Sequence, residues 1–251
     1  MLPRLGVDAI LAALAVTPEG FHRAVATDAD GTLWSTDVGD ELFLDLGERS
    51  DFRGSAGEAL RSRAAAIVGE LPATDLALAQ AVMAKYRAGE VAIGPMCELQ
   101  AEAVGDRSEA ELSALYDRVA ERVARTVRPE VRALLKALYD RGYAVHVVSG
   151  SLGDAVERCL TRAEIPFTTA SGASLARDGD RVLPRCAKEI PLFEGKVKAL
   201  RAASAWPASL GLGDGGWDVT FLRDVHLPVL VHPKPALLEA MREHPRAVVI
   251  D

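Results

Sequence analysis

The chain has 251 residues, of which 49% are hydrophobic, and it carries a formal net charge of −7 at pH 7. This length and apolar content predict a folded domain with its own core, either alone or with an inserted segment. Because the charge is negative and no basic patch stands out, we expect neither a nucleic acid nor a membrane surface as a partner.

The three cysteines, Cys97, Cys159 and Cys186, lie far apart in the sequence. They show neither the paired spacing of a zinc site nor the density of a disulfide framework. This usage is typical of a reducing compartment, so we predict a cytoplasmic location and three buried thiols.

The first segment of the chain predicts a short amphipathic helix that lies on the domain. Leu5, Ile10, Leu11 and Leu14 suit one side of such a helix, which is too short to span a bilayer and includes Asp8. We therefore expect neither a membrane anchor nor a secretion signal here.

Short apolar runs with β-branched character predict buried strands at residues 24–26, 143–150, 209–216, 227–233 and 247–250. Helical patterns separate these runs. Alternating strands and helices indicate an α/β fold with a doubly wound parallel sheet, in which ligands bind beyond the carboxyl ends of the strands.

The long stretch between the first two runs is almost wholly helical in pattern. Ser108 and Glu111 form a capping-box signature, and apolar residues with helical spacing follow it. Pro129 then opens a further helix that ends near Gly142. We predict a core domain from residues 1–37 and 128–251, with a helical domain inserted at 38–127.

A smaller insertion is predicted in the second half of the chain. Asp178, Gly179 and Asp180 suit the turn of a hairpin between two short extended pieces, and a plain surface loop is the alternative.

Polar residues cluster where the predicted strands end or helices begin: Asp28 and Asp30, then Ser149, Gly150 and Ser151, then Lys196, then Asp214 and Asp218. In a parallel sheet these clusters would meet at one edge. Converging carboxylates need a cation, and their hard oxygen atoms suit Mg²⁺. A lysine, a hydroxyl and backbone N–H groups at a helix start suit an anion. Together they predict a phosphate site between a metal and a lysine.

Each of these residues also has an ordinary structural interpretation. Asp30 suits a turn, Ser149 and Asp218 suit helix caps, and Lys196 suits an exposed helix start. Lys188 is an alternative to Lys196, which we prefer because it opens the helix that leads into the strand before Asp214.

The motifs "DADGT" at residue 28, "VVSGS" at 147, "EGKVKAL" at 194 and "GDGGWD" at 213 stand in the order found in the haloacid dehalogenase superfamily, and the chain resembles a phosphatase of that superfamily. The helical insertion resembles the cap of its phosphoserine phosphatase-like branch. The resemblance implies a Rossmann-like core with this cap, and a small phosphorylated metabolite as the substrate.

The resemblance also implies a role for each motif residue. Asp28 would be the nucleophile that forms an aspartyl-phosphate, and Asp30 would serve as general acid and base while its backbone carbonyl binds the metal. Asp28 and Asp214 would hold Mg²⁺, supported by Asp218. Ser149, the backbone at Gly150 and Lys196 would bind the transferring phosphoryl group.

The same resemblance gives a hypothesis for the substrate. Asp37, with Asp40 and Glu41 nearby, stands where the phosphoserine phosphatases bind the amino group of their substrate, which favours phosphoserine or another amino-bearing ester. The alternative is that these carboxylates only favour the start of a helix. Trp217 stands where those enzymes usually have asparagine. Arg53, Arg61 and Arg63 are the candidates for binding a substrate carboxylate.

Two other function classes are open to the sequence. Gly211, Gly213 and Gly216 match the glycine spacing of a dinucleotide-binding oxidoreductase, although Asp214 lies within that loop and no acidic residue follows about twenty residues later. A non-catalytic protein on the same fold is the other alternative, disfavoured because the catalytic carboxylates are present. The histidines show no ligand spacing, and we expect His146 to be packed.

Overall fold

A computed structural model describes residues 2–203 and 206–250, and its main feature is a parallel sheet. Nine strands are found in the described residues: β1 (Arg4–Leu5), β2 (His22–Thr27), β3 (Ala144–Leu152), β4 (Thr169–Ala173), β5 (Leu175–Asp178), β6 (Arg181–Cys186), β7 (Ala208–Gly213), β8 (Leu227–Leu230) and β9 (Val248–Ile250). Seven of them form one sheet in the order β1-β9-β8-β7-β2-β3-β4, and every pairing in it is parallel.

The described helices are α1 (Val7–Leu14), α2 (Val38–Glu48), α3 (Gly54–Val68), α4 (Asp75–Arg87), α5 (Ile93–Glu102), α6 (Glu109–Val123), α7 (Pro129–Asp140), α8 (Gly153–Arg162), α9 (Glu194–Ala202), α10 (Val219–Leu222) and α11 (Pro235–Met241). Helices alternate with the sheet strands along the chain, so the predicted doubly wound α/β fold is confirmed. None of the described helices is long and apolar enough to cross a membrane.

The first strand of the sheet differs from the prediction. The two residues Arg4 and Leu5 form β1 and pair with β9 at the sheet edge, so the helical insertion follows the second strand of the chain. A two-residue strand carries no readable alternation, which is why the pattern missed it. The predicted amphipathic helix is α1, whose Ile10, Leu11 and Leu14 are buried.

The insertion between β2 and β3 begins with five helices, α2 to α6, before α7 leads back into the sheet. Ser108 accepts a hydrogen bond from the Glu111 N–H and the Glu111 carboxylate accepts one from the Ser108 N–H, as the capping-box signature predicts. One cluster of buried apolar side chains continues from the sheet, at Val25, into the insertion, at Leu42. The division into domains at residues 38 and 127 remains a prediction.

The predicted hairpin is present, with Gly179 in its turn at φ +58° between β5 and β6. It packs against α3 and α5 of the insertion. Val182 accepts a backbone hydrogen bond from Asp106 at 2.9 Å and donates one to Arg107 at 3.0 Å. The hairpin, which follows β4 of the sheet directly in the chain, therefore links the insertion to the sheet.

Of the cysteines, Cys159 is buried, while Cys97 and Cys186 are partly exposed.

Candidate active site

Three buried charged residues meet at the carboxyl ends of β2 and β7. Lys196 Nζ, on the first turn of α9, lies 2.6 Å from Asp28 Oδ1 and 2.6 Å from Asp218 Oδ1. The lysine side chain is only 1% exposed. Burial alone lowers the pKa of Lys196, but the adjacent Asp218 and Asp28 carboxylates offset this, so the net pKa lies above its usual value. The lysine therefore stays protonated and holds the two carboxylates together.

Asp218 also shapes the turn that follows β7. Its Oδ2 accepts hydrogen bonds from the backbone N–H groups of Asp214 at 3.1 Å and Gly215 at 3.0 Å. A side chain at Gly213 would collide with Asp218, which explains why glycine stands there. The turn carries Asp214 toward Asp28.

The carboxylates fit a divalent cation. Asp28, Asp214 and Asp218 each offer an oxygen atom within 4.8 Å of the others. Asp214 Oδ1 is buried and has no hydrogen-bond partner among the residues that the structure describes, while its Oδ2 lies 2.8 Å from Lys234 Nζ. Burial and the nearby Asp28 raise the pKa of Asp214 to about 6. An unpartnered buried oxygen in a set of hard donors is what Mg²⁺ coordination requires.

Asp30 lies at the centre of a separate hydrogen-bond network. Its Oδ1 accepts from Trp34 Nε1 at 2.9 Å and from the Val38 N–H at 2.8 Å. Its Oδ2 accepts from the hydroxyls of Ser149 and Ser151, each at 2.8 Å. Burial and the charge of Asp28 raise the pKa of Asp30. The raised pKa favours the protonated form of this side chain, which a general acid needs. Metal binding through its backbone carbonyl remains a prediction.

The predicted phosphate-binding residues lie beside this network. Ser149 is fully buried, and its hydroxyl contacts Asp30 and accepts from the Ser151 N–H at 2.9 Å. In this structure its hydroxyl proton is therefore directed at a carboxylate, and phosphate binding by Ser149 remains a prediction. A side chain at Gly150 would meet Leu192 and Cys97, so glycine allows the insertion to approach the strand end.

Asp37 serves as the N-cap of α2, with its Oδ1 accepting from the Asp40 N–H at 2.9 Å. It also lines a small cavity next to Asp28 and Asp30. Burial and the charges of Asp30 and Asp40 raise the pKa of Asp37 well above its usual value. The helix-start interpretation is thus confirmed, while binding of a substrate amino group by Asp37 remains a prediction.

Two cavities meet at Asp30 and Asp37. The inner one measures about 30 Å³ and is also lined by Asp28, Ser149, Lys196 and Trp217. The outer one measures about 370 Å³, and the basic residues on its wall are Arg87, Arg128, His232 and Lys234. These four were missed from the sequence, because they belong to none of the four motifs. Lys234 stands out in the structure, since it contacts Asp214 and lies 4.3 Å from the centre of the Trp217 ring.

Several sequence-based candidates lie elsewhere. Lys188 is exposed and lines a different cavity, so Lys196 is the lysine at the site. Arg53 pairs with Asp51 and Glu111, Arg61 with Asp75, and Arg63 with Glu98 and Glu102, and none of these arginines lines either cavity. The structure therefore places these three arginines away from the site and pairs them within the insertion.

The dinucleotide-binding alternative is wrong. Gly211 and Gly213 lie inside β7, and a side chain at Gly211 would meet Leu222 and Val225. These glycines allow close packing of a strand, and the turn after it is filled by Asp218, so no open loop remains to receive a pyrophosphate.

Comparison with known proteins agrees with this geometry. The family model of the haloacid dehalogenase-like hydrolases matches residues 25–223. A phosphoserine phosphatase of Streptomyces coelicolor is 30% identical over 247 residues, which cover 94% of this chain and 50% of that protein. The chain thus spans about half the length of this curated relative.

Solved structures show the same fold at lower identity. A protein of unknown function from Bordetella pertussis Tohama I superposes with a TM-score of 0.70 at 18% identity, covering 92% of this chain and 99% of that one. A substrate-bound phosphoserine phosphatase superposes with a TM-score of 0.54 at 16% identity, covering 92% and 94%.

Proposed function

Because this chain belongs to the haloacid dehalogenase-like hydrolases, we propose that it is a Mg²⁺-dependent phosphatase that hydrolyses a small phosphomonoester through an aspartyl-phosphate on Asp28. One observation carries this proposal: Asp28, Lys196 and Asp214 share one buried site that offers a nucleophile, an anion-binding cation and an unpartnered metal-binding oxygen. No other group of three or more possible metal ligands is found in residues 2–203 and 206–250.

The first half of the reaction uses Asp28 and Asp30. A carboxylate oxygen of Asp28 attacks phosphorus, the bond to the leaving oxygen breaks, and Asp30 gives its proton to that oxygen. Thr32 holds Asp28 Oδ2 with a hydrogen bond of 3.1 Å, which orients the nucleophile. Lys196 lies close enough to Asp28 to offset the negative charge of the transferring group.

The second half returns the residues to their starting state. A water attacks the phosphorus, Asp30 takes the water proton, and Asp28 is released as a carboxylate while inorganic phosphate forms. Asp28 and Asp214 would hold Mg²⁺, and Asp218 would support them through Lys196 and the backbone of the turn. When bound, this cation offsets negative charge on the phosphoryl oxygens.

The size of the inner cavity bears on the substrate. The inner cavity, about 30 Å³, is much smaller than the outer cavity of about 370 Å³, and we propose that the leaving group extends past Asp30 and Asp37 into the outer one. Asp37 faces both cavities, and a cationic group of the substrate there would favour its ionised form and pair with it. We propose an amino-bearing ester such as phosphoserine, which accords with the named activity of the Streptomyces coelicolor relative.

The test is phosphate release from a generic aryl phosphate, with and without Mg²⁺. The Asp28→Asn variant should lose at least about a thousandfold in kcat, as expected for removal of a nucleophile. Asp140→Asn, which alters an exposed carboxylate on α7, is the matched control and should keep full activity. Release that does not depend on the metal, or a fully active Asp28→Asn variant, would contradict the proposal.

The substrate is tested by comparing turnover of phosphoserine, phosphoethanolamine, phosphocholine, histidinol phosphate and sugar phosphates. Preference for the amino-bearing esters supports the role given to Asp37. A clear preference for sugar phosphates would show that another part of the outer cavity selects the substrate.

A further inference from the structure

The two oxygens of the Asp30 carboxyl face different kinds of hydrogen-bond partner. Oδ1 faces the indole N–H of Trp34 and the backbone N–H of Val38. Oδ2 faces the hydroxyls of Ser149 and Ser151. An N–H group can only donate, whereas a hydroxyl can donate or accept. When Asp30 is protonated, its proton therefore sits on Oδ2, because a proton on Oδ1 would oppose two fixed donors.

Ser149 and Ser151 are not equivalent partners of that oxygen. Ser149 belongs to the proposed phosphate-binding residues, and turning toward a phosphate would break its hydrogen bond to Asp30. Ser151 is held from the other side, because its Oγ accepts from the Gly39 N–H at 3.2 Å in the first turn of α2. With an N–H donating to that oxygen, its own hydroxyl proton is directed at Asp30.

We propose that Ser151 is a positioning residue that holds Oδ2 of Asp30 at the wall of the inner cavity. From that position Asp30 delivers its proton to the leaving oxygen. Only the Asp30 proton is transferred: its bond to Oδ2 breaks as the new O–H bond forms, and the serine proton stays on Ser151. This inference rests on the proposed function. It adds that the contact between the strand end and the first turn of α2 sets the position of the proton donor.

The test compares the Ser151→Ala variant with the wild type on three esters of increasing leaving-group basicity: p-nitrophenyl phosphate, phenyl phosphate and benzyl phosphate. An acidic nitrophenol leaves without a proton, whereas an alcohol needs one. We expect kcat/KM, which reports the first half of the reaction only, to fall less than about twofold for the nitrophenyl ester and about five- to tenfold for the benzyl ester, the effect of one hydrogen bond.

Further variants separate positioning from general damage. Asp30→Asn should show the same dependence on the leaving group in a stronger form. Ser151→Thr, which keeps the hydroxyl, should restore the wild-type ratio of the benzyl to the nitrophenyl rate. Ser209→Ala, which removes another buried serine hydroxyl whose partner is the His22 carbonyl, should leave that ratio unchanged.

The outcomes are distinguishable. If Ser151→Ala lowers kcat/KM by the same factor for all three esters and leaves the unfolding temperature unchanged, the inference is overturned while the proposed function stays in place. A wild type that hydrolyses none of the esters in the presence of Mg²⁺ would contradict the proposed function, and the inference with it.

Discussion

Gly31 lies so close to Asp214 that a Cβ atom on it would overlap the Asp214 carboxylate. Gly31 also has φ +80°, a backbone conformation that favours glycine. Two requirements thus meet at one residue of the "DADGT" motif. The backbone must turn sharply after Asp30, and it must leave space for the carboxylate that arrives from the end of β7.

Gly31→Ala should therefore weaken cation binding and lower activity. We expect the variant to fold, to lose about tenfold or more in Mn²⁺ affinity measured by calorimetry, and to lose phosphatase activity, because Asp214 must move away. Gly142→Ala is the matched control. Gly142 has the same φ of +80°, but a Cβ atom on it would have no described atom within 4 Å beyond its chain neighbours. Equal loss of Mn²⁺ affinity in both variants would show that backbone strain at φ +80°, and not displacement of Asp214, causes the effect.

Lys196 should be required for stability as well as for catalysis. Lys196→Met leaves Asp28 and Asp218 buried without the cation that they share, and breaking such a buried pair costs about 3–5 kcal/mol in the free energy of unfolding. Lys198→Met is the matched control. Lys198 lies on the same helix, is 71% exposed and has its Nζ 3.4 Å from Glu189 Oε2. Its cost should be below about 1 kcal/mol. Denaturant unfolding without metal measures both, and similar losses would argue against a structural role for Lys196.

Sequence patterns were sufficient for the parts of the site that follow directly from strand ends. Asp28, Ser149 and Asp214 each end a buried apolar run, and parallel strands bring such ends to one edge. Lys196 could be chosen over Lys188 because it opens a helix. The Asp28, Lys196 and Asp218 contacts confirm that these residues meet, while their catalytic roles remain proposals.

Sequence patterns failed where a contact depends on three-dimensional proximity without a motif. Lys234 lies twenty residues after Asp214 and reaches it only because β8 runs beside β7. Arginines of the insertion could not be ranked, since Arg63 and Arg87 look alike until their partners are known. The docking of the β5–β6 hairpin on the insertion depends on backbone hydrogen bonds, which carry no sequence signal.

Asp37→Asn offers a clean test of substrate selection. Asparagine is as good an N-cap as aspartate, so α2 should stay capped while the carboxylate that would pair with a substrate ammonium group is removed. We expect kcat/KM for phosphoserine or phosphoethanolamine to fall about tenfold or more, with little change for a sugar phosphate. An equal fall for both classes of ester would show that Asp37 supports the site without selecting the substrate.

His146 should make the protein less stable in mild acid. This residue lies on β3, is 5% exposed, and has its Nδ1 2.9 Å from Thr169 Oγ1. Burial lowers its pKa below the ordinary value of 6.5. The unfolded chain therefore takes up the proton first as pH falls, so stability is full above pH 6.5 and is lost from there down through the lower pKa of the folded state.

His146→Gln should reduce that loss. Measured by denaturant unfolding at about pH 7.5 and about pH 5.5, the free energy of unfolding should fall less in the variant than in the wild type. The remaining slope should combine His226 and His244, whose pKa values are also lowered by burial and Arg246, with Asp214, whose raised pKa of about 6 acts in the opposite direction. The exposed His22→Gln variant controls for the substitution itself. An unchanged pH dependence in His146→Gln would contradict the prediction. It would show that protonating this imidazole in the folded protein does not lower the free energy of unfolding, despite its burial on β3.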